Sequence, residues 1–199
     1  MKKIIFTIVA ILIAISALGQ SVESRIRAFA VREYPNDAQM QEYVYKKQMS
    51  AYRYMLSVSD VEVKGFSIRE YPEDYAMQKY TYDKQVSAKR YMTTVADVEV
   101  RTIAVREYPA DYSMQKYTYD KQLSAKRYMG TVDDYEVKRI ALREYPSDYS
   151  MQKYTYDKQL SAKQYMNAQP NSAAKNRARQ EYPSDYSMQK YIYDKLESG

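Results

Sequence analysis

The 199-residue chain carries 31 Lys and Arg residues against 25 Asp and Glu residues, and it contains no cysteine and no histidine. Disulfide bonds are therefore excluded, and a zinc site built from thiolate and imidazole ligands is nearly excluded as well. The formal net charge of +6 is mild for this length, whereas tyrosine is strongly over-represented, with 25 residues against three Phe and no Trp.

Residues 1–19 have the pattern of a secretory signal peptide. Two lysines follow the initial methionine, residues 4–18 form an apolar run, and small residues at Ala17 and Gly19 suit a cleavage site before Gln20. The apolar run is shorter than the ~20 residues that span a bilayer, which favours cleavage over a permanent anchor. We therefore predict export to the periplasm or the cell exterior, with membrane contact only through this segment before cleavage.

The remaining residues, 20–199, repeat one stretch with a fixed period of 37 residues. Tyrosines that precede a proline mark the period, at Tyr34, Tyr71, Tyr108, Tyr145 and Tyr182. The repeats cover roughly residues 32–68, 69–105, 106–142 and 143–179, and a half repeat covers 180–199. A period of this length is typical of architectures in which each repeat packs against its neighbours, so we predict a single repeat domain.

The longer segment of each repeat is predicted to be an α-helix of about 20 residues. In the third repeat, no Gly or Pro interrupts residues 111–129. Pro109 suits the first helical position, and Asp111 would then lie in the first turn, where the helix dipole favours an anion. Lys116 and Asp120 are spaced as an i,i+4 ion pair.

Two opposed apolar stripes appear on this helix when successive residues are placed 100° apart. The broad stripe is predicted to be core, with Met77, Tyr80 and Tyr91 and their equivalents at steps of 37 residues as members. In the third repeat it also includes Ala125 and Met129. The opposite stripe consists of a second set of tyrosines and a leucine. Because a helix with two apolar faces is contacted from both sides, the pattern predicts stacked helices.

The shorter segment between two long helices has conflicting signals. Residues 97–105 are rich in β-branched residues and alternate in part, which favours a strand. The same slots in the last copy, residues 173–181, hold strong helix formers after a helix-start signal at Ser172. Equivalent slots should share a conformation, so we predict an all-α fold of tandem helix hairpins stacked as an α-solenoid. The alternative is a β-α solenoid with short strands.

Catalysis is not favoured by the repeated carboxylates. Glu107 and Asp111 resemble the paired acids of glycoside hydrolases, but an equivalent pair recurs in every repeat, whereas an active site is normally unique. We therefore predict a protein that is not an enzyme, with a carboxylate-based glycoside hydrolase as the weaker alternative. No metal or other cofactor is expected, since the glycine pattern of calcium-binding loops is missing.

The second tyrosine stripe is the predicted binding surface. If this stripe is left partly open, it forms a ladder of rings suited to sugars or extended peptides, as solenoid surfaces often are. The candidate contact residues are Tyr75, Tyr82, Tyr112, Tyr119, Tyr149, Tyr156, Tyr186 and Tyr193, together with Lys79, Lys116 and Lys153. The predicted partner is a protein, peptide or polysaccharide of the cell envelope. No nucleic acid is expected, because positive and negative charges nearly balance within a repeat.

A second functional hypothesis is a structural protein of the cell envelope that self-associates. The half repeat 180–199 stops partway along its long helix by comparison with the complete repeats. Its unfinished apolar face would either accept another molecule or simply act as a cap of the array. The sequence therefore predicts either an exported binding or scaffolding surface, or a self-associating array.

Overall fold

The structure is a computed structural model that describes residues 21–198, so the predicted signal segment lies outside the described residues. Ten helices and no strands occupy residues 21–198. In chain order they are α1 Val22–Glu33, α2 Ala38–Ser57, α3 Val61–Glu70, α4 Tyr75–Thr94, α5 Val98–Glu107, α6 Tyr112–Thr131, α7 Tyr135–Glu144, α8 Tyr149–Ala168, α9 Ala173–Glu181 and α10 Tyr186–Glu197. The segments between long helices are therefore short helices, and the β-α alternative is wrong.

The chain forms two compact units, Met1–Arg90 and Tyr91–Gly199. In the N-terminal unit, the short helix α1 packs against the long helix α2. In the C-terminal unit, each short helix (α5, α7 and α9) packs against the long helix that follows it, and α8 packs against both α6 and α10. Helix hairpins are therefore stacked within a unit, as the prediction of an all-α solenoid requires.

Side chains at the helix starts explain where the helices begin. Asp97 accepts a hydrogen bond from the backbone N–H of Val100 at the start of α5, and Asp60, Asp134 and Ser172 act in the same way at other short helices. Such a cap satisfies one of the free N–H groups of the first turn. The long helices use the same device, so the predicted start of α6 is wrong: the helix begins at Tyr112, three residues after Pro109, and Asp111 is its cap rather than part of its first turn. It precedes α6 and caps it through the N–H of Met114, while Pro109 stays in the preceding turn.

The turn between a short and a long helix is held by a glutamine of the long helix. Tyr108 ends α5 by donating its N–H to the carbonyl of Ala104, and its own carbonyl accepts a hydrogen bond from Nε2 of Gln115 at 2.7 Å. The same glutamine–tyrosine bond recurs in the other hairpins, from Gln41, Gln78, Gln152 and Gln189. The repeated tyrosine, proline and glutamine are thus the parts of one turn, and Gln115 is buried because its amide serves that turn.

The core of the C-terminal unit is a series of small clusters, one for each hairpin. Met92, Val100, Ala104 and Tyr119 form the first cluster, which joins α4, α5 and α6. Its equivalents are Met129, Val137, Ala141 and Tyr156, followed by Met166, Ala178 and Tyr193. Each cluster therefore takes a methionine from one long helix, small apolar residues from the short helix and a tyrosine from the next long helix.

Candidate binding surface

Half of the tyrosines predicted to form an open ladder are in the core. Tyr82, Tyr119, Tyr156 and Tyr193 are only 3–6% exposed. The hydroxyl of Tyr119 accepts a hydrogen bond from the backbone N–H of Asp97 at 3.3 Å, so the polar end of the ring is used inside the hairpin as well. The expectation that this stripe is left open is therefore wrong for these four residues.

The other four tyrosines of that stripe are half-buried, and two of them, Tyr149 and Tyr186, lie beside an ion-pair cluster. Lys126 binds the carboxylates of Asp97 and Glu99 at 2.9 and 2.8 Å, and its Nζ lies 5.2 Å from the ring centre of Tyr149. The hydrogen bonds to Glu99 and Asp97 hold the pKa of Lys126 above its usual range. Tyr186 occupies the same position beside Lys163. Tyr75 and Tyr112 are half-buried too. The rings of Tyr149 and Tyr186 thus cover a charge cluster, and all four half-buried rings leave little free surface for a ligand.

The three lysines predicted as contacts belong to triads that join neighbouring long helices. Lys116 pairs with Asp120 at 2.6 Å and lies 4.4 Å from the ring centre of Tyr91, whose hydroxyl donates to the same aspartate. The hydrogen bond to Asp120 and burial raise the pKa of Tyr91 to about 12, so its hydroxyl stays a proton donor at neutral pH. Lys79 and Lys153 are held in the same arrangement. These lysines stabilise the stacking of the helices.

Five of the exposed tyrosines belong to the stripe that was predicted to be core. Met77 and Tyr91 are half-buried, whereas the five equivalents of Tyr80 are 56–60% exposed. They are Tyr43 and Tyr80 in the N-terminal unit, and Tyr117, Tyr154 and Tyr191 in the C-terminal unit. Of the other members named for the broad stripe, Ala125 and Met129 are buried as predicted. The core prediction is therefore wrong for the Tyr80 series.

The burial of polar residues on one face of α6 explains why the Tyr80 series is exposed although it was predicted to be core. Gln115, Gln122 and Thr118 are at most 6% exposed and occupy the middle of the packed face of α6. A helix that points these polar residues inward turns Tyr119 into the core and Tyr117 towards solvent. The amphipathic pattern predicted the wrong inward face for the long helix because it assigned glutamine to the surface.

An exposed lysine follows each of the five tyrosines of the Tyr80 series by one helical turn. These residues are Lys47, Lys84, Lys121, Lys158 and Lys195. Within residues 21–198, none of the five has a carboxylate within ion-pair distance, in contrast to the lysines of the triads. We call the tyrosines and lysines of this set that belong to one unit the tyrosine–lysine row of that unit. The spacing Tyr-x-x-x-Lys in the sequence is the signal that could have revealed it, since residues four apart lie on one helix face.

A groove in the N-terminal unit includes part of this row. It has a volume of about 630 Å³ and is lined by residues of α1, α2 and α4, among them Tyr43, Lys47 and Tyr80. This volume lies within the range of ordinary ligand sites. The row therefore borders a concave surface in this unit.

No protein-family model matches the chain, and neither a curated protein nor a solved structure is detectably similar to it. In the described part of the chain, no cluster of three or more acidic side chains is arranged to hold a metal ion. The helices of residues 21–198 also include none that combines the length and the apolar character needed to cross a bilayer. The geometry of the helix faces is thus the basis for a functional proposal.

Proposed function

We propose that this chain is an exported, non-catalytic repeat protein whose tyrosine–lysine row binds an extended anionic polysaccharide of the cell envelope. The observation that carries the proposal is the recurrence of a largely exposed tyrosine and an unpaired lysine at one position of every long helix. An exposed tyrosine ring offers an apolar face for a sugar ring and a hydroxyl for hydrogen bonding. The lysine ammonium supplies the charge that attracts a carboxylate.

The repetition of the row favours a polymer over a folded protein partner. Packed helices lie about 8–10 Å apart, so the tyrosine–lysine pairs of neighbouring long helices within one unit are separated by about the length of a disaccharide. A polysaccharide with a regularly spaced carboxylate presents the same groups to each pair. Weak contacts at successive pairs then add up to a higher overall affinity. A peptide of ordinary sequence has no such regularity.

The helix caps support a non-catalytic role. Asp111 and its equivalents are the acids that a glycoside hydrolase of this sequence would have to use. Each of them is already an acceptor for the first turn of its long helix, as Asp111 is for the N–H of Met114 at 3.0 Å. A carboxylate held in this way is already engaged by the backbone of its own helix. The glycoside hydrolase alternative therefore has less support than binding.

We expect the variant with Tyr117→Ala, Tyr154→Ala and Tyr191→Ala to bind polygalacturonate about tenfold more weakly or worse, because three lost ring contacts of about 0.5 kcal/mol each amount to about 1.5 kcal/mol. Isothermal titration calorimetry with the chain from residue 20 measures the affinity. Circular dichroism should show unchanged helix content, since all three rings are exposed.

The matched control is Tyr135→Ala, which removes a tyrosine that is 78% exposed but lies on a short helix away from the row. Its affinity for polygalacturonate should equal that of the parent chain. Neutral dextran serves as the control ligand and should not bind. Equal affinities of the parent and the triple variant, or a parent chain that does not bind polygalacturonate, would refute the proposal.

Self-association is the second candidate, and one observation favours it. Apolar residues at the start of three short helices are 72–80% exposed, and each is followed seven residues later by a second exposed apolar residue. The pairs are Val61 and Ile68, Val98 and Val105, and Tyr135 and Leu142. Residues seven apart share a helix face, so each short helix carries an apolar strip that a second copy would cover.

Stacking through the half repeat 180–199 has less support than contact between these strips. In the later repeats, a tyrosine hydroxyl of the preceding repeat donates to an aspartate that is paired with a lysine, as Tyr54 does to Asp83, the partner of Lys79. In α2 the charges are reversed, with Glu42 and Lys46 paired at 3.3 Å. The first hairpin thus lacks the acceptor that a preceding repeat would require.

If the strips mediate self-association, the sedimentation coefficient of the chain should rise with protein concentration. The double variant Val98→Lys and Tyr135→Lys should then abolish the rise, because it places two charges on the apolar strip. Deletion of 180–199 should leave the rise in place, whereas its loss in this deletion alone would favour the half repeat as the contact. A sedimentation coefficient that does not depend on concentration would refute self-association by either route.

A further inference from the structure

The later repeats contain a position at which a glutamate carboxylate is held between a lysine and a tyrosine. In the C-terminal unit, Glu99 binds Lys126 at 2.8 Å, and hydrogen bonds from Lys126 and Tyr149 hold the pKa of Glu99 below its usual range. The equivalent residues one period later are Glu136, Lys163 and Tyr186. A carboxylate at this position of the fold is therefore bound from two sides.

The first repeat lacks this carboxylate. Two periods of 37 residues separate Arg25 from Glu99, and the same step separates Tyr52 from Lys126. Tyr75 keeps the tyrosine of the position and meets the ring of Tyr52 edge-on, with 5.1 Å between the ring centres. The hydroxyl of Tyr75 has no hydrogen-bond partner among residues 21–198. The glutamate has thus been replaced by an arginine, and the tyrosine hydroxyl has lost its acceptor.

Arg25 is the unpaired charge of a pocket that is lined by α1 and by the segment leading into α4. The lining carries two guanidinium groups, of Arg25 and Arg32, and one carboxylate, of Glu73. Arg32 binds Glu73 at 3.1 Å and also lies 3.8 Å from Glu33, which is not part of the lining. No carboxylate of residues 21–198 lies within ion-pair distance of Arg25. The free charge of the lining is therefore positive.

The other residues of the lining are apolar or aromatic. Ala28, Phe29 and Pro72 contribute apolar surface, and Tyr75 contributes a ring together with its free hydroxyl. The pocket has a volume of about 360 Å³, which lies at the lower end of the range of ligand sites. These features suit a small group that combines an apolar body with one anionic end.

We infer that this pocket binds a ligand carboxylate in place of the missing glutamate, and that the ligand carries this single carboxylate on an apolar body. The C-terminal residue of a peptide that ends in an apolar side chain has this chemistry. Arg25 supplies charge-assisted hydrogen bonds, and Tyr75 donates its hydroxyl as the tyrosine of the later repeats does to its glutamate. No member of the tyrosine–lysine row lines the pocket, so the inference is independent of polysaccharide binding.

The test is the binding of N-acetylphenylalanine to the chain from residue 20, measured by isothermal titration calorimetry. We expect Arg25→Gln to weaken this binding tenfold or more, because it removes the free guanidinium of the pocket. N-acetylphenylalanine amide, which lacks the carboxylate, should not bind the parent chain. The matched control is Arg69→Gln, which makes the same change at an exposed position of α3 outside the pocket and should weaken binding less than twofold.

A second variant restores the residues of the later repeats. Arg25→Glu and Tyr52→Lys together should abolish binding of N-acetylphenylalanine without loss of helix content in circular dichroism, because a glutamate of the protein then occupies the position. Binding in this double variant as tight as in the parent chain would contradict the inference. So would equal affinities of the parent and Arg25→Gln, an amide that binds as tightly as the acid, or a parent chain that does not bind N-acetylphenylalanine. These outcomes would leave the proposed function standing.

A chain end and a free acid share this chemistry, and one comparison distinguishes them. The tripeptide N-acetyl-Ala-Ala-Phe should bind more tightly than N-acetylphenylalanine if the pocket takes the end of a peptide. Equal affinities of the two would assign the pocket to free acids. Either result supports a carboxylate pocket at Arg25.

Discussion

Replacing Tyr119 by Ala is expected to lower the free energy of unfolding by about 3–5 kcal/mol, as loss of a large buried aromatic side chain does. The ring is 3% exposed and packs with Met92, Val100 and Ala104. It also meets the ring of Tyr91 edge-on, with 6.2 Å between the ring centres. Urea denaturation followed by circular dichroism at 222 nm measures the change.

The control for this prediction lies two residues away on the same helix. Tyr117 is 60% exposed, so Tyr117→Ala should change the free energy of unfolding by no more than about 0.5 kcal/mol. The two variants delete the same side chain from α6 and differ only in the face from which it is removed. Equal losses of stability in the two variants would contradict the assignment of Tyr119 to the core and of Tyr117 to the surface.

Gln122→Leu is expected to cost about 2–4 kcal/mol, because it removes two hydrogen bonds between neighbouring long helices and leaves a buried donor unpaired. Gln122 is 4% exposed. Its Nε2 donates to the carboxylate of Asp148 at 2.9 Å, and its Oε1 accepts from the N–H of Ser150 at 3.1 Å. Both partners lie at the start of α8, so one amide joins α6 to the first turn of the next long helix.

Gln164→Leu is the matched control, since it makes the same change at an exposed position of α8. Its effect should stay within about 0.5 kcal/mol. Because stability in a repeat array is a sum of repeat and interface contributions, Gln122→Leu should also broaden the urea transition. A loss below 0.5 kcal/mol for Gln122→Leu would show that the amide bridge does not hold the repeats together.

The position of the helices could be predicted from local sequence signals. The uninterrupted stretch from Asp111 to Met129 indicated a helix of the length that α6 has, and Ser172 correctly marked the start of a short helix. These features depend on backbone conformation and on contacts only a few residues apart. The one local error, the start of α6, arose because Pro109 and Asp111 each offer a plausible helix start and the aspartate cap prevails.

The face that each helix turns inward could not be predicted in the same way. The pattern of α6 contains two tyrosines that differ by two positions, and hydropathy ranks Tyr117 and Tyr119 alike. What distinguishes them is the burial of Gln115 and Gln122, whose amides bind the turn before α6 and the start of the long helix of the next repeat. Such partners are not visible in the sequence of one helix.

By itself, then, the sequence determined the 37-residue period and the long helix of each repeat, and it favoured a short helix between long helices, because these follow from repetition and from local helix signals. Only the tertiary structure decided which tyrosines are core and which are surface. The reason is physical: a buried glutamine is stable only where its amide finds partners, and those partners are supplied by the packing of neighbouring helices. That packing also leaves Lys121 unpaired and Lys116 bound, although both are lysines of one helix.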